Sequence, residues 1–263
     1  MNSKKKINEI EITNPDRIVY EKVKIKKIDV IKYYQKISTH ILPYIENRLL
    51  SVIRCHNGIK DSCFIRKHTS NDNPHIKSIK VDKYEEFFYL KDEIGLLSEA
   101  QMGTIEFHTW GCKAQNINKP DIMVFDLDPD ENISIARLKQ GVMHLKNVLD
   151  ELNLVSFLKT SGGKGYHIVV PFSACKNWDI FYEFAKKVAN LMQATYPDLY
   201  TTNIRKAERK GKIFVDALRN SKGATCVAPY SLRAKKNASI SMPISWENLN
   251  KIKPNQITMR NYE

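Results

Sequence analysis

A chain of 263 residues with 42% hydrophobic content can bury an ordinary core, which excludes a peptide hormone or a bare linker and suits one large domain or two closely joined lobes. Lys and Arg total 42 against 29 Asp and Glu, a formal charge of +13 that draws polyanions whatever the fold and puts nucleic acid first among partners. No run approaches the roughly 18 apolar residues of a membrane span, and the opening MNSKKKINEIEI lacks the apolar stretch of a secretion signal, so a cytosolic protein with no membrane role is expected.

In chain order, the stretch to about Tyr34 predicts a short strand EIEIT, a turn at Asn14-Pro15-Asp16, a second short strand IVY, and a helix beginning near Lys27. Residues 48 to 68 predict two strands around the Asn57-Gly58 turn signal, and TIEFHTW at 104 to 110 alternates as a half-buried strand does. After Asp121 come the strand IMVFDLD, a helix from about Ser134 to Leu152, the strand VSFLKT, a Gly-rich turn, the strand GYHIVVPF and a helix from about Asp179 to Tyr196. The apolar run IFVDAL follows, then VAPYSLRA, then MPISWENL with a short closing helix; there is no repeat and no low-complexity linker. Five cysteines, Cys55, Cys63, Cys112, Cys175 and Cys226, are odd in number, widely spaced and without a C-x-x-C pair, which predicts reduced thiols. The spacing of Cys55, Cys63 and His68 matches no zinc signature.

Three stretches carry chemistry. In MVFDLDPD an apolar strand ends in Asp126 and Asp128, which project to one face about 7 Å apart. Two like charges so close favour a hard cation between them, Mg²⁺ or Mn²⁺, although a D-x-D pair also serves as a cap or a solvated turn, the role expected of Asp130. Asp216 interrupts the apolar KIFVDAL, where a charge is costly unless paired or metal-bound. It completes a carboxylate trio able to hold two ions for phosphoryl transfer, the plainer alternative being a buried ion pair with Arg219. The turn TSGGKGYH offers converging backbone N–H groups, the Ser161 hydroxyl and cations at Lys164 and His167, a setting for a triphosphate or else a plain hairpin. It lacks P-loop spacing and precedes a strand, which argues against an ATPase. Tyr166 and His167 alternate, so one of them faces the metal side, and His167 is the candidate. Arg219 and Arg233 add guanidinium forks suited to phosphate, within a segment from Arg205 to Lys236 that holds ten Lys or Arg against two acids, a solvated face in its plainer reading.

At these residues the sequence resembles the polymerase domain of bacterial ligase D and its stand-alone bacterial and archaeal relatives, within the archaeo-eukaryotic primase superfamily. The resemblance covers nearly the whole chain and is carried by TNPDRIVY, RCHNGIKDSCFIRKH, EFHTWG, DIMVFDLDPD, LKTSGGKGYHIVVP, RKGKIFVDALRNSKGATCVAPYSLRA and SMPISW. It implies an α+β, primase-type catalytic core with central mixed or antiparallel sheets flanked by helices, as a single primase-polymerase domain over residues 1–263. Residues 1–35 are then a 5′-phosphate-binding subregion and 100–250 the catalytic core. Asp126, Asp128 and Asp216 match catalytic metal-binding aspartates for two Mn²⁺ or Mg²⁺ ions. Ser161, Lys164 and His167 match contacts to the incoming triphosphate, and Arg219 and Arg233 match further nucleotide-facing positions. His108 matches a histidine near the catalytic centre, although a lone strand histidine is more often structural. Lys27, assisted by Arg17, matches a lysine that holds the 5′-phosphate at a gap; by itself it is an ordinary surface charge. Phe64 matches an aromatic that stacks on the template, but the family usually has a second aromatic after it where this chain has Ile65, and core packing is the alternative. Arg54 and Lys67 flank the same hairpin as candidate template-backbone contacts.

The resemblance further implies DNA-directed nucleotidyl transfer that fills short gaps and extends 3′ ends in non-homologous end joining, with NTPs or dNTPs, ribonucleotides and Mn²⁺ being favoured. Partners are DNA with gaps, 5′-phosphorylated ends or 3′ overhangs, together with Ku and a DNA ligase; no ligase lysine motif or nuclease module is present in these residues, so joining falls to a separate DNA ligase or to further parts of a longer protein, and a cytoplasmic, nucleoid-associated protein follows. Two alternatives remain: a primase that starts strands unaided, and a catalytically inactive nucleic-acid-binding module, against which the intact aspartates speak.

Overall fold

The computed structural model describes residues 5–68, 73–83 and 85–262. The chain forms two compact units: residues 1–109, 227–241 and 258–263 make the first, and residues 110–226 and 242–257 the second. In chain order the first contains strands β1 (Lys5–Ile7), β2 (Ile10–Ile12), β3 (Ile18–Tyr20) and β4 (Ile25–Lys26), then helices α1 (Lys27–Lys36) and α2 (Ser38–Ile45). Strands β5 (Arg48–Arg54), β6 (Phe64–Arg66), β7 (Lys77–Lys80) and β8 (Glu86–Tyr89) follow, then α3 (Glu93–Gln101) and β9 (Thr104–Lys113), which runs on into the second unit. There come β10 (Ile122–Pro129), α4 (Ile135–Glu151), β11 (Phe157–Thr160), β12 (Tyr166–Pro171), α5 (Trp178–Thr195), β13 (Tyr200–Thr201) and β14 (Ile213–Asp216). The short β15 (Cys226–Val227) and β16 (Pro243–Ile244) complete the set.

The second unit is a six-stranded sheet of order β13-β14-β10-β12-β11-β16, antiparallel throughout except for the parallel β13–β14 pair. An inner strand must be apolar on the face it buries, and β10 supplies Met123, Phe125 and Leu127 to one face. Ser134 caps α4 by accepting the Arg137 N–H, and Asn177 caps α5 by accepting the Ile180 N–H. The helices bury Leu138, Val142, Leu145 and Leu149, and Phe181, Ala185, Val188 and Met192, at helical spacing, in one core with those strand residues and with Tyr166, Ile168 and Val215. Gly141 permits this approach, because a Cβ there would stand 2.9 Å from the Ile213 side chain and 3.2 Å from the Tyr200 hydroxyl. Alternation then turns Asp126, His167 and Lys159 to the opposite face of the sheet.

In the first unit α1 begins where Asp29 accepts the Lys26 N–H, the acidic half of a capping box. Its tyrosines anchor the returning segment near 231: Tyr33 donates to Tyr230 O at 2.7 Å, and Tyr34 donates to Ile105 O at 2.5 Å while accepting the Leu232 N–H at 3.1 Å. A four-stranded sheet of order β15-β9-β5-β6 stands beside three two-stranded ribbons, β1-β2, β3-β4 and β7-β8.

Two expectations are corrected here. The Asn57-Gly58 turn is real, with the Gly58 N–H bonded to Cys55 O and φ at +97°, but the strands resume only at Phe64, since Ile59 N–H leaves the ladder for Val19 O. Cys55 and Cys63 are not reduced thiols; they form a disulfide with Cα atoms 4.4 Å apart. The cause is register: Val52↔Arg66, Ile53↔Ile65 and Arg54↔Phe64 place the two cysteines opposite each other at the next pair. Cys112, Cys175 and Cys226 are reduced thiols, as expected. No helix among the described residues is long and apolar enough to cross a membrane.

Candidate active site

The polar face of the second unit is a transverse row on four neighbouring strands. Asp126 is the register partner of both Asp216 on β14 and His167 on β12, and His167 is in turn the partner of Lys159 on β11. Asp128 continues the acidic edge two residues along β10, half exposed. His167 Nε2 lies 3.4 Å from Asp126 Oδ1, whereas Tyr166 points into the core and donates to Ile252 O.

Charge is crowded in this row. Burial pushes the Asp128 carboxyl up and the Asp126 charge adds to it; burial likewise raises Asp216 against the pull of Arg219. Burial also opposes the Asp126 charge, but His167, Arg219 and Lys159 outweigh it and hold that carboxyl at about 2. The ion pair weighed as the alternative role for Asp216 is present: Arg219 Nε stands 3.2 Å from Asp216 Oδ2, and 3.7 Å from Asp126 Oδ2. Among the described residues no group of three or more His, Cys, Asp or Glu is arranged as it stands to hold a metal. The donor chemistry nonetheless fits a hard cation, being all carboxylate oxygen. Arg219, the cation shared by Asp126 and Asp216, is 43% exposed.

The turn between β11 and β12 differs from the expected anion cradle. Ser161 Oγ itself accepts the N–H groups of Gly163, at 3.0 Å, and Gly165, at 3.2 Å. Gly165 is required by close approach, since a Cβ there would stand 2.2 Å from Leu127 O on β10. Lys164 is exposed, 3.5 Å from Glu131. Asp130 is the turn residue expected, accepting the Gly211 N–H.

Several residues of this face escaped sequence reasoning. Lys159 Nζ lies 2.8 Å and Cys226 Sγ 3.1 Å from His167 Nδ1. Burial alone would raise the Cys226 thiol, but His167 and Lys159 bring it to about 7. Arg209 lies 3.7 Å from Asp128, its guanidinium stacked 3.6 Å from the centre of the Phe214 ring. Period-2 alternation of FLKT against GYHIVV would have flagged Lys159; nothing in sequence marks Cys226 or Arg209.

The remaining candidates lie in the first unit. His108 and Arg233 meet on Glu106, whose Oε2 is 2.8 Å from each of His108 Nε2 and Arg233 Nε. Lys27 and Arg17 line a cavity of about 230 Å³ with Thr13, Asn14, Cys55 and His56. Lys27 Nζ donates to Thr13 O at 2.8 Å, and Arg17 donates to His56 O. Burial and the neighbouring Arg17 lower the Lys27 ammonium to about 8. Phe64 and Ile65 are both exposed on the edge strand β6, Phe64 against His56, so Phe64 is not core packing, and Lys67 is exposed beside them. Arg54 does not share that surface: it is buried, with Nη2 3.1 Å from both Glu99 oxygens.

Residues 26–263 match the sequence profile of the family described as LigD, primase-polymerase domain. The chain belongs to that family. It is 33% identical over 258 residues to the multifunctional non-homologous end joining protein LigD of Pseudomonas aeruginosa, covering 95% of this chain and 30% of the relative. It is 28% identical to the bifunctional LigD of Bacillus subtilis, covering 90% of this chain and 39% of the relative. The chain thus spans about a third of the length of these LigD proteins. Its fold matches the polymerase domain of Mycobacterium tuberculosis ligase D, solved in complex with DNA, with a TM-score of 0.88 at 26% identity, covering 95% of this chain and 92% of that one. The expected α+β, primase-type fold is therefore the fold of this LigD-family chain.

Proposed function

We propose that the chain is a DNA-directed nucleotidyl transferase that fills short gaps and extends 3′ ends in non-homologous end joining, preferring ribonucleotides and acting with Ku and a DNA ligase at the nucleoid. One observation carries the reading: Asp126 and Asp216 face each other as register partners on inner strands, with Asp128 beside them. The family membership of the chain supports it.

Asp126, Asp128 and Asp216 would hold two divalent ions, Mn²⁺ or Mg²⁺, which lower the pKa of an attacking 3′-hydroxyl and neutralise the leaving pyrophosphate. Arg219, released from the aspartates, offers its fork to a phosphate oxygen. Ser161 braces the turn that sets Lys164 toward the triphosphate, and His167 donates from the same face. Lys27 and Arg17 hold a 5′-phosphate in their cavity, and Phe64 stacks on a template base.

The test is primer extension on a gapped duplex with and without a 5′-phosphate, using ribo- and deoxyribonucleotides in Mg²⁺ and in Mn²⁺. Extension that depends on the 5′-phosphate is expected. Indifference to it, with synthesis from an unprimed template, would favour a primase instead, and no extension at all would sink the enzymatic reading.

A further inference from the structure

Tyr230 occupies a backbone position that suits glycine. The Ser231 N–H donates to Ala228 O at 3.2 Å across Pro229 and Tyr230, and Tyr230 has φ at +65°. Proline in second place and a positive φ in third make a type II turn, whose third place favours Gly or Asn because a Cβ is strained there. The turn is held from both sides: the Tyr230 N–H donates to Ser241 O at 2.6 Å, and Tyr33 donates to Tyr230 O at 2.7 Å. The backbone gains nothing from a tyrosine here, so the reason for the residue lies in its ring.

That ring joins two others from α2. His40 and Tyr44 are four residues apart and share one face of the helix. The centre of the Tyr230 ring is 5.6 Å from that of His40 and 6.1 Å from that of Tyr44, with planes tilted by 55° and 42°, so the three form a stepped surface rather than a closed stack. Tyr44 is 43% exposed, His40 is exposed and Tyr230 half-buried. Burial and Tyr44 push the Tyr230 phenol up, which keeps it uncharged. All three residues belong to the first unit, and none has a part in the reaction proposed above.

Aromatic faces with polar tips, on a chain of charge +13, fit the bases of an unpaired nucleic-acid strand. Such bases stack on aromatic rings whatever their sequence, whereas a duplex hides its base faces. The segment that carries Tyr230 runs on to Lys235 and Lys236, both exposed. Strand β5 leads from this cluster toward the candidate template surface: it begins at Arg48, just past Tyr44, and ends at Arg54, the register partner of Phe64. At about 3.3 Å per residue its two ends are roughly 20 Å apart.

We propose that His40, Tyr44 and Tyr230 form a second stacking site for unpaired DNA, distinct from Phe64 and indifferent to sequence. This rests on the reading of the chain as a DNA-directed polymerase.

The test is fluorescence anisotropy of a labelled oligothymidine and of a blunt duplex with wild type, Tyr44→Ala, Tyr44→Phe and Tyr230→Gly, over a salt series and with Tm measured alongside. Tyr44→Ala and Tyr230→Gly are each expected to bind the single strand about 5- to 100-fold more weakly, with duplex affinity unchanged. Glycine suits the φ of Tyr230, so the turn persists once the ring is gone. Tyr44→Phe keeps the ring face and should bind as wild type does. The loss should be the same at every salt concentration, since a stacking contact releases no counterions. Photo-cross-linking of a 5-iodouracil-substituted strand to wild type should map to Tyr44 or Tyr230, and it decides if the variants do not fold. Wild-type single-strand affinity in both folded variants, an equal loss on duplex, or cross-links that miss both tyrosines would each overturn the proposal, the first of them leaving the cluster to a peptide ligand. Primer extension separates the two readings: a wild type that extends no primer yet shows these losses defeats the polymerase assignment alone, whereas extension by wild type beside unchanged single-strand binding in the variants defeats only the stacking site.

Discussion

Lys27 is a cation held at a cost, and Lys27→Met should expose that cost. The ammonium releases its proton near pH 8 rather than 10.5 because burial and Arg17 disfavour the charge. At 1.36 kcal/mol per pH unit this is about 3 kcal/mol against the charged form at neutral pH. The bond it donates to Thr13 O at 2.8 Å returns about 1 kcal/mol, so the methionine variant is expected to be more stable by about 2 kcal/mol at pH 7, or roughly 4–8 °C in Tm. The sign with pH follows from a depressed folded-state value. Between about 8 and 10.5 the unfolded chain keeps a proton that the folded one has released, so wild-type stability rises with pH across that window. The variant lacks this rise, and its advantage should shrink toward pH 10. Thermal melts at pH 7 and pH 10 measure this, and filter binding to gaps with and without a 5′-phosphate measures the loss of function. Loss of a charged hydrogen bond of about 1.5–3 kcal/mol predicts about 10- to 100-fold weaker binding to the phosphorylated gap alone, in a contact that weakens with salt. A Tm at pH 7 equal to or below wild type, or equal losses on both gaps, would refute the reasoning.

Asp126→Ala and Asp216→Ala should each reduce nucleotide incorporation to background while gapped-DNA affinity stays within a few-fold, because the ions serve chemistry more than binding; primer extension with a parallel gel-shift checks both. Gly165→Ala places a Cβ 2.2 Å from Leu127 O and should displace β10 between Asp126 and Asp128, cutting kcat by about 100-fold, the scale expected of a misplacement near 1 Å. Arg54→Met removes one partner of a buried pair whose Nη2 is 3.1 Å from both Glu99 oxygens and should cost about 3–5 kcal/mol, read from urea midpoints.

Long periodic elements were legible in the sequence. Ser134 and Asn177 mark helix starts, and apolar residues at helical spacing run through α4 and α5, so their extent and type follow from local rules. The acidic pair at the end of β10 was legible for the same reason. What stayed hidden depends on partners distant in the chain. Glu106 finds its partners in Arg233 and Ala234, more than a hundred residues away, although its alternation with His108 in TIEFHTW was a signal within reach. Arg54 reads as an exposed hairpin cation until Glu99, one helix later, draws it inside. The Gly-rich turn suggested free amides because sequence does not reveal that Ser161 consumes two of them. The joined cysteines were hidden by their odd total; only the ladder register reveals that two of the five face each other.

That cross-link makes reductant a hidden variable in any assay of this chain. Cys55 belongs to the wall of the Lys27 cavity, and Cys63 immediately precedes Phe64. With the bond intact, the segment from Cys55 to Cys63 is a closed ring that carries His56 against Phe64 and passes its carbonyl to Arg17. Buffer containing dithiothreitol opens the ring and leaves the three β5–β6 register pairs to hold it. Closing a loop this short is worth about 2–3 kcal/mol, so preparations made with and without reductant would differ first in the segment that joins the candidate phosphate cavity to the candidate template surface.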